Sequence, residues 1–488
     1  MTGLSRRGLI AAAGALGAGA VGLARSTTAH ADEEAVVAGR RRLVSTPAEL
    51  GAAYAWAEPG DVIMMKNGTW RDVGIEFRAM GTAERPITLR AQTPGGVIIS
   101  GSSYLRILGD HLVVDGLTFR DGAAPDDRYH LIQFSDWLNS DPFDGGTFSN
   151  HCRLTNVMID GFNQAAAGSA LWVGLWGHHN RIDHCSFVNK AKNGLVIVAW
   201  RPFGDPDHHQ IDHNYFADMP SSGPGGMVLV RIGDGNQATK ASHSVIEHNL
   251  FERITGIGNI INLKCSDTIV RDNTFRQATG AINLRAGHRN VIERNFILPP
   301  IPDLNNDYFG GGVNVIGEDH VIRGNYFQDC STRFKNGIGL YQGDAENAPG
   351  KGSYYPTKNV LIENNTLVDN YTNFRVGVIG GGSFPEGDID IPVENIIYCG
   401  NAVVGNESPE PVMSIINPPI GDIVYERNMF FGGNLEGLTD TPGIEIADPG
   451  LVEQPDGTYQ YRPDSPLRGN ITTRPLTKGQ VGPAWDWR

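Results

Sequence analysis

Cysteine is scarce in this sequence, with 5 residues among 488. The number is odd and no two cysteines form a C-x-x-C pair, so neither a disulfide framework nor a thiolate metal site is indicated. Cys185 and Cys399 lie within or beside a recurring apolar pattern, which is typical of small side chains packed in a core. The remaining cysteines are Cys152, Cys265 and Cys330.

Positive charge is also limited. The chain has 40 Lys and Arg residues against 54 Asp and Glu residues, giving a formal net charge of −14. A protein that coats nucleic acid needs a general positive field, so we expect no nucleic-acid partner. A polyanionic ligand would need a local basic stripe.

Long apolar runs are absent beyond the N-terminus. There, Arg6 and Arg7 precede an apolar run from Leu9 to Leu23, and Ala29-His30-Ala31 offers an A-x-A cleavage site. These features predict a twin-arginine signal peptide over 1–31 and a secreted or periplasmic protein that is exported after folding. The run is too short to span a bilayer, so we expect no membrane partner.

A short motif, apolar-x-x-Asn-x-aromatic or nearly so, recurs along the chain. Its asparagines at 214, 249, 273, 295, 325 and 365 are 22 to 40 residues apart. Such spacing between short β-branched segments and Gly/Asn turns predicts an all-β fold, a single right-handed parallel β-helix. The copies are Ile182–Phe187, Ile211–Phe216, Ile246–Phe251, Val270–Phe275, Ile292–Ile297, Ile322–Phe327, Ile362–Leu367 and Val424–Phe430.

The repeat also predicts what fills and closes the solenoid. The asparagines should hydrogen-bond from rung to rung, with the aromatic residues pointing inward beside them. Thr46-Pro47-Ala48-Glu49 reads as a capping box that opens a short N-terminal helical cap. We therefore divide the chain into a signal peptide (1–31), a linker (32–43), a capped β-helix (44–436) and an irregular C-terminal tail packed on the solenoid (437–488).

The clearest chemical pattern lies on two successive rungs. Ile261-Asn262-Leu263-Lys264 and Ile282-Asn283-Leu284-Arg285 repeat the same order, so Lys264 and Arg285 should stack on adjacent strands about 4.8 Å apart. Two neighbouring cations without a carboxylate are unfavourable in a structural ladder, so the pair suggests a site more strongly than a single exposed lysine does, although a solvated outer face is the commoner role of Lys and Arg on solenoids. With Ile and Leu inward, the outward residues are Asn262, Lys264, Asn283 and Arg285, joined by Arg231 upstream and Asn314 downstream.

At these residues the sequence resembles polysaccharide lyase family six, which contains chondroitinase B and alginate lyases. The frame N-x-F…K…N-T-F…L-R-x-G…N-F between Asn249 and Phe296 carries the resemblance, which extends over about 45–370. Further matching stretches are Pro59–Asp61, Lys66–Trp70, Ile87–Leu89, Gly95–Ser102, His111–Phe119, Arg231–Gly233 and Val315–Glu318.

The resemblance implies an enzyme that cleaves a uronate polysaccharide, alginate or dermatan/chondroitin-like, by β-elimination. Lys264 would remove the C5 proton and Arg285 would act at the leaving group. A lysine acts as a base near neutral pH only if its ammonium form is disfavoured. The Arg285 cation and partial burial would both disfavour the ammonium form of Lys264. The candidate substrate-binding residues are the outward-facing Arg231, Asn262, Asn283 and Asn314, together with Lys240 in the loop after Arg231.

The sequence departs from the family at its calcium site. The two glutamates that bind calcium in the resembled lyases are Ile257 and Asn259 here. Calcium remains possible, but we expect no cofactor and no metal-binding residues, and we expect Arg231, or secondarily Lys240, to neutralise the substrate carboxylate. The sequence departs from the family at three other places. This chain has Pro224-Gly225-Gly226 where the family has Asn-Gly-Gly, Asn314 where it often has an arginine, and Ala286 where it often has a histidine.

Two other functions stay open from sequence: a non-catalytic carbohydrate-binding β-helix and, less favoured, a β-helix glycoside hydrolase. The carboxylate pair Asp126-Asp127 would serve the latter but reads as a solvated turn. Histidines at 178, 179, 208 and 209 do not predict a metal site, because adjacent residues on a strand face opposite ways. The tryptophans at 172, 176 and 200 fit either sugar stacking from loops or packing in the core or a cap. The polymer, the endo or exo mode and the oligomeric state are open.

Overall fold

A computed structural model describes most of the chain from residue 39 onward. The described ranges are 39–125, 130–137, 147–163, 171–220, 227–255, 259–298, 311–330, 336–344, 354–379, 389–405 and 409–487. The predicted signal peptide and the Asp126-Asp127 pair lie outside these ranges.

Nearly all strands belong to three long parallel sheets, called A, B and C, which receive successive strands of each coil in turn. The fold prediction of a single right-handed parallel β-helix is confirmed. Sheet A consists of β1 (Arg41–Val44), β2 (Val62–Met65), β5 (Ile87–Ala91), β8 (Leu112–Asp115), β11 (Arg153–Thr155), β14 (Arg181–Asp183), β17 (Gln210–Asp212), β20 (Val245–Glu247), β23 (Ile269–Arg271), β26 (Val291–Glu293), β29 (Val321–Arg323), β32 (Lys358–Glu363), β35 (Glu394–Cys399) and β38 (Val424–Glu426).

Sheet B follows sheet A after a tight turn in most rungs. It consists of β3 (Gly68–Arg71), β6 (Val97–Ser102), β9 (Leu117–Ala123), β12 (Met158–Asp160), β15 (Ser186–Val188), β18 (Tyr215–Met219), β21 (Leu250–Ile254), β24 (Thr274–Ala278), β27 (Phe296–Ile297), β30 (Tyr326–Gln328), β33 (Thr366–Val368), β36 (Ala402–Val404), β39 (Asn428–Phe431) and β40 (Ile444–Ile446).

Sheet C completes each coil and carries the residues singled out from sequence. It consists of β4 (Gly74–Met80), β7 (Tyr104–Asp110), β10 (Ile132–Gln133), β13 (Val173–Leu175), β16 (Gly194–Ala199), β19 (Met227–Ile232), β22 (Asn259–Lys264), β25 (Ala281–Ala286), β28 (Val313–Val315), β31 (Asn336–Tyr341), β34 (Thr372–Val378) and β37 (Met413–Ile415).

An internal asparagine ladder joins the rungs between sheets A and B, as the repeat predicts. The backbone N–H and the side-chain amide of each asparagine both donate to Oδ1 of the next at 2.9 to 3.1 Å. Because every member is buried, the ladder satisfies polar groups that the turn would otherwise leave unpaired. Its members are Asn214, Asn249, Asn273, Asn295, Asn325, Asn365, Asn401 and Asn428.

Aromatic rings two residues after the ladder fill the interior. Phe187, Phe216, Phe251 and Phe275 stack with centroids 5.0, 4.7 and 4.8 Å apart. They belong to one apolar core that extends along the solenoid from Val44 to Leu438. This continuous core is what makes the short rungs mutually dependent.

A helix closes the N-terminal end of the coil. Helix α1 (Pro47–Trp56) begins after Thr46, whose hydroxyl accepts from Glu49 N at 3.2 Å. The Glu49 carboxylate accepts from Ser45 N at 2.6 Å. The predicted capping box therefore forms, except that the return hydrogen bond comes from Ser45, one residue before the N-cap residue Thr46. None of the described helices is both long and apolar enough to cross a membrane.

The chain beyond Glu436 differs from the predicted irregular tail at its start, since β40 adds a further strand to sheet B. A hairpin of β41 (Leu451–Glu453) and β42 (Tyr459–Tyr461) and a 3-10 helix, Lys478–Gln480, follow. β1 likewise begins three residues inside the segment taken as a linker.

The final residues run back over sheet B towards the N-terminal rungs. Leu476 N donates to Thr274 Oγ1 at 2.8 Å, and Ala484 N donates to Asn156 Oδ1 at 3.1 Å. This return path leaves the outer face of sheet C to the loops and to any ligand.

Candidate active site on sheet C

Four polar side chains form a column on the outer face of sheet C. The strand register pairs Arg231 with Asn262, Asn262 with Asn283, and Asn283 with Asn314. Their neighbours along each strand point into the apolar core. We call these four residues the polar column.

Lys264 and Arg285 lie beside the polar column, at the ends of β22 and β25. Leu263 pairs with Leu284, but Lys264 pairs with Ala286, so the register shifts by one residue between them. The expectation that Lys264 and Arg285 stand directly opposite each other was therefore wrong. Arg285 is the extra residue of the shift, and such an irregularity changes the direction of a side chain.

Arg285 is largely enclosed, with 9% of its surface exposed. Its guanidinium carbon lies 3.9 Å from the centroid of the Tyr354 ring. Burial lowers the pKa of Arg285 below its ordinary value, whereas the charges of Tyr354 and Asp344 act in the opposite direction. The solvated outer face considered from sequence does not describe this residue, while Lys264 remains partly exposed.

The amides of the polar column are available for a ligand. Asn262 and Asn283 are 8% and 7% exposed, and Oδ1 of each has no hydrogen-bond donor among the described residues. A buried acceptor without a partner costs about 1 to 3 kcal/mol, which a sugar hydroxyl would relieve. Asn314 differs, because the Tyr341 hydroxyl donates to its Oδ1 at 3.4 Å.

The two cations proposed to replace calcium lie in different surroundings. The Arg231 guanidinium carbon lies 4.7 Å from the centroid of the Trp200 ring, at the start of the polar column. Lys240 lies in an exposed turn after β19, and its backbone carbonyl accepts from the buried Arg201 at 3.2 Å. Arg231, not Lys240, is therefore the cation that strand register aligns with the asparagines.

Tyr354 and Tyr341 are site residues that no sequence pattern singled out. Their rings lie 6.5 Å apart and are stacked, covering Arg285 and Asn314 from the outside. Tyr354 is held by its backbone N–H, which donates to Asp344 Oδ1 at 2.7 Å. A long rung between two asparagines of the ladder was the only available hint of a covering loop.

The tryptophans separate into two kinds of environment. Trp172 is a core residue whose Nε1 donates to Phe162 O at 2.9 Å. Trp176 is fully buried outside the main core, and Trp200 is partly exposed beside Arg231. Of these three tryptophans, only Trp172 belongs to the main apolar core.

The histidine pairs lie in the connections between strands and not on strands, so the strand geometry assumed from sequence does not apply to them, and His179 and His208 have positive φ. His179 and His208 are exposed and stacked at 4.7 Å, whereas His209 is buried and its Nδ1 accepts from Asn180 N at 3.2 Å. Within the described ranges, no group of three or more His, Cys, Asp or Glu side chains could hold a metal ion.

Comparison with known proteins identifies the family. A family model described as Chondroitinase B matches residues 44–389. The chain belongs to the chondroitinase B family. Comparison with curated proteins gave no match.

Solved structures of polysaccharide lyase family six are similar to this member of the chondroitinase B family. The alginate lyase AlyGC is 31% identical with a TM-score of 0.79, covering 91% of this chain but 58% of its own. A mannuronic acid-specific family 6 lyase from human gut microbiota is 26% identical, with a TM-score of 0.70 and coverage of 84% and 91%. Pedsa3628 from Pseudopedobacter saltans is 25% identical, with a TM-score of 0.69 and coverage of 91% and 99%. The chain thus spans less than two thirds of AlyGC.

The residues of this chain do not fit the calcium site that the family resemblance implies. Ile257 lies outside the described residues, and as an isoleucine it has no side-chain oxygen. Asn259, which opens β22, has only a neutral amide. Calcium sites normally gather six to eight oxygens that include carboxylates, and these two side chains supply no carboxylate.

Proposed function

We propose that this protein is an exported polysaccharide lyase that cleaves a uronate-containing polymer by β-elimination. Lys264 acts as the base and Arg285 acts at the leaving group. Export by the twin-arginine pathway would place it in the periplasm or outside the cell, where polymeric substrates are found. Family membership supports the reaction type, and residues 1–31 support the location.

One observation carries the assignment of residues. Lys264 and Arg285 lie near the ends of neighbouring strands, beside a column in which the buried side-chain oxygens of Asn262 and Asn283 lack donors among the described residues. Lys264 and Arg285 bring two positive charges to the register shift, which suits an anionic ligand. The arrangement therefore favours chemistry on an acidic sugar over hydrolysis by paired carboxylates.

The reaction follows from the two cations. Neutral Lys264 takes the proton from C5 of the uronate, the electron pair forms the C4–C5 double bond, and the bond from C4 to the glycosidic oxygen breaks. Arg285 stabilises or protonates the departing oxygen. Its lowered pKa makes proton donation less unfavourable than for an exposed arginine.

The uronate carboxylate must be neutralised for the C5 proton to be removed. Arg231 is aligned with Asn262 by strand register and supplies a fixed positive charge with a planar fork of donors. Asn262, Asn283 and Asn314 would hold sugar hydroxyls, with Lys240 a more distant contributor. We expect activity without calcium at the family's position.

The candidate polymers are alginate and dermatan or chondroitin-like chains. AlyGC is described as an alginate lyase, and the gut microbiota enzyme as specific for mannuronic acid. These names describe those proteins, and they make alginate the first polymer to test here.

The test is the ultraviolet absorbance of the new double bond, recorded with the purified protein over alginate, dermatan and other uronate polymers. We expect Lys264→Ala and Arg285→Ala each to lower turnover about a hundredfold or more. Arg276→Ala, on sheet B, is the matched control and should retain turnover. Normal turnover in either site variant would exclude the assignment.

A non-catalytic carbohydrate-binding β-helix is the alternative, because the calcium ligands are missing. Binding of a uronate polymer without any new absorbance, across all polymers, would favour that reading. New reducing ends without absorbance would instead indicate a hydrolase.

A further inference from the structure

The outer face of sheet C is covered on the N-terminal side of the polar column. Gly174 and Val198 occupy the column positions that precede Arg231. A Cβ on Gly174 would lie 2.4 Å from Trp176 Cζ3 and 2.9 Å from His130 Cδ2, so both rings lie directly over this position. Val198 also points outward yet is fully buried.

Large aromatic side chains also occupy the N-terminal part of the neighbouring column, the one that contains Lys264. Trp176 and Trp200 directly follow β13 and β16, whose last residues Leu175 and Ala199 are register partners. Their rings are stacked at 6.2 Å, and Trp200 Nε1 donates to His130 Nε2 at 3.2 Å.

The covering residues form a closed cluster. Trp137 lies against Trp176 with ring centroids 5.6 Å apart. His130, Trp137 and Trp176 are 2%, 8% and 0% exposed. We call His130, Trp137, Trp176 and Trp200 the aromatic wall.

The aromatic wall stands close to the proposed chemistry. Trp200 follows β16, Lys264 ends β22, and β19 lies between them, so the separation along the solenoid is roughly 10 Å. The Arg231 guanidinium packs against the Trp200 ring, between the aromatic wall and the polar column. A 1→4-linked pyranose is about as long as one rung spacing, which leaves room for about two sugar units between Lys264 and the wall.

We propose that the protein acts at a chain end of its polysaccharide, with the aromatic wall setting the length of the short fragment released. This rests on the proposed lyase function. The bond cut is the one described above, and each cut leaves a mono- or disaccharide on the walled side. Sugar residues on the other side of Lys264 extend along Asn283 and Asn314.

A time course on the wild-type protein tests the mode directly. Absorbance of the double bond should rise while the viscosity of the polymer falls slowly, and the earliest products should be mono- and disaccharides. A rapid loss of viscosity with an early ladder of long oligosaccharides would overturn the proposal. It would leave the lyase function intact.

Binding tests chain-end recognition independently of catalysis. Lys264→Ala is titrated with size-fractionated polymer at equal uronate mass, using calorimetry. An end-binding protein saturates in proportion to the number of chains, whereas binding along the chain saturates in proportion to mass and would contradict the proposal. End binding without any lyase activity would refute the proposed reaction alone.

Variants test the wall itself. Trp137→Ala and Trp176→Ala should each shift the early products towards tri- and tetrasaccharides. Trp137 is the less buried of the two, so Trp137→Ala serves as the test if Trp176→Ala does not fold. Trp485→Ala, on the C-terminal tail, is the control and should leave product length unchanged. An unchanged product length in a folded wall variant would show that the wall does not set it.

Discussion

The ring of Tyr354 lies over the guanidinium of Arg285, with 3.9 Å between the guanidinium carbon and the ring centroid. Each residue shields the other, since Tyr354 is 7% exposed and Arg285 is 9% exposed. The hydrogen bond from Tyr354 N to Asp344 Oδ1 anchors the backbone of this residue. Tyr354 is thus a positioning residue for the arginine proposed to act at the leaving group.

Replacing the ring should therefore affect turnover more than binding. A cation–π contact in a desolvated site is worth about 1 to 2 kcal/mol, so Tyr354→Leu should lower kcat about tenfold with little change in KM. Tyr354→Phe keeps the ring and should stay close to wild type. Steady-state kinetics on the preferred polymer measure both.

Chemical access to Arg285 provides the control on this interpretation. Phenylglyoxal should modify Arg285 slowly in the wild type and in Tyr354→Phe, and faster in Tyr354→Leu, as read by peptide mass spectrometry. Equal modification rates in all three proteins would contradict the shielding role.

The asparagine ladder should dominate the stability of the middle rungs. Asn273 donates to Asn295 Oδ1 and to the carbonyls of Ile246 and Arg271, and it accepts from Asn249. Asn273→Ala leaves several buried groups unpaired and should cost about 3 kcal/mol or more in the free energy of unfolding.

Urea denaturation measures this loss. Asn67→Ala, at an exposed turn near the N-terminal cap, is the comparison and should cost about 1 kcal/mol or less. Similar losses in the two variants would show that the ladder is not a special source of stability.

The ladder was predictable from sequence because it repeats: each asparagine has the same local neighbours, so one motif reports on all copies. The pairing of Lys264 with Ala286 could not be predicted, because a one-residue shift in register between two strands of the same sequence pattern leaves no mark in the sequence. Contacts made by Tyr354 depend on how a long rung folds back, which the repeat does not encode.

The aromatic wall shows the same limit. Trp176 and Trp200 lie at strand ends, where a tryptophan can enter the core or cover the outside, and sequence left both open. Only the strand register shows that they occupy outward positions in the column that contains Lys264. Sequence patterns thus predicted a candidate site on sheet C but not the side chains that border it.

Stability in acid should depend on Asp183 in sheet A. Burial acts to raise the pKa of this carboxyl, but hydrogen bonds from Arg153 and His184 and the charges of Arg153 and Arg181 lower it to about 2. Because the folded-state pKa is depressed from 3.8, the ionised carboxylate contributes about 2 kcal/mol above pH 4.

That contribution should be lost as the pH falls from about 4 to 2. Unfolding free energies measured by denaturant titration across this range should drop more steeply for the wild type than for Asp183→Asn. The variant should be less stable at pH 7 and should approach the wild type at pH 2. Parallel pH profiles would contradict the assignment.

Arg231 should replace the metal in this member of the family. Its guanidinium is fixed on Trp200 and aligned with Asn262, whereas Lys240 extends from an exposed turn. Losing a charged hydrogen bond to a carboxylate costs about 1.5 to 3 kcal/mol, so Arg231→Ala should lower kcat/KM ten- to a hundredfold. Lys240→Ala should have a small effect.

Chelation separates this role from that of a metal. Exhaustive treatment with a calcium chelator should leave the activity of the wild type unchanged, because Asn259 and Ile257 supply no carboxylate to hold the ion. Arg276→Ala controls for the general loss of a positive charge and should behave as wild type. Activity that disappears on chelation and returns with added calcium would refute the metal-free mechanism, and an unaffected Arg231→Ala would refute the assignment of the cation. A protein that uses Arg231 in place of calcium should also bind uronate oligosaccharides equally well with and without the chelator.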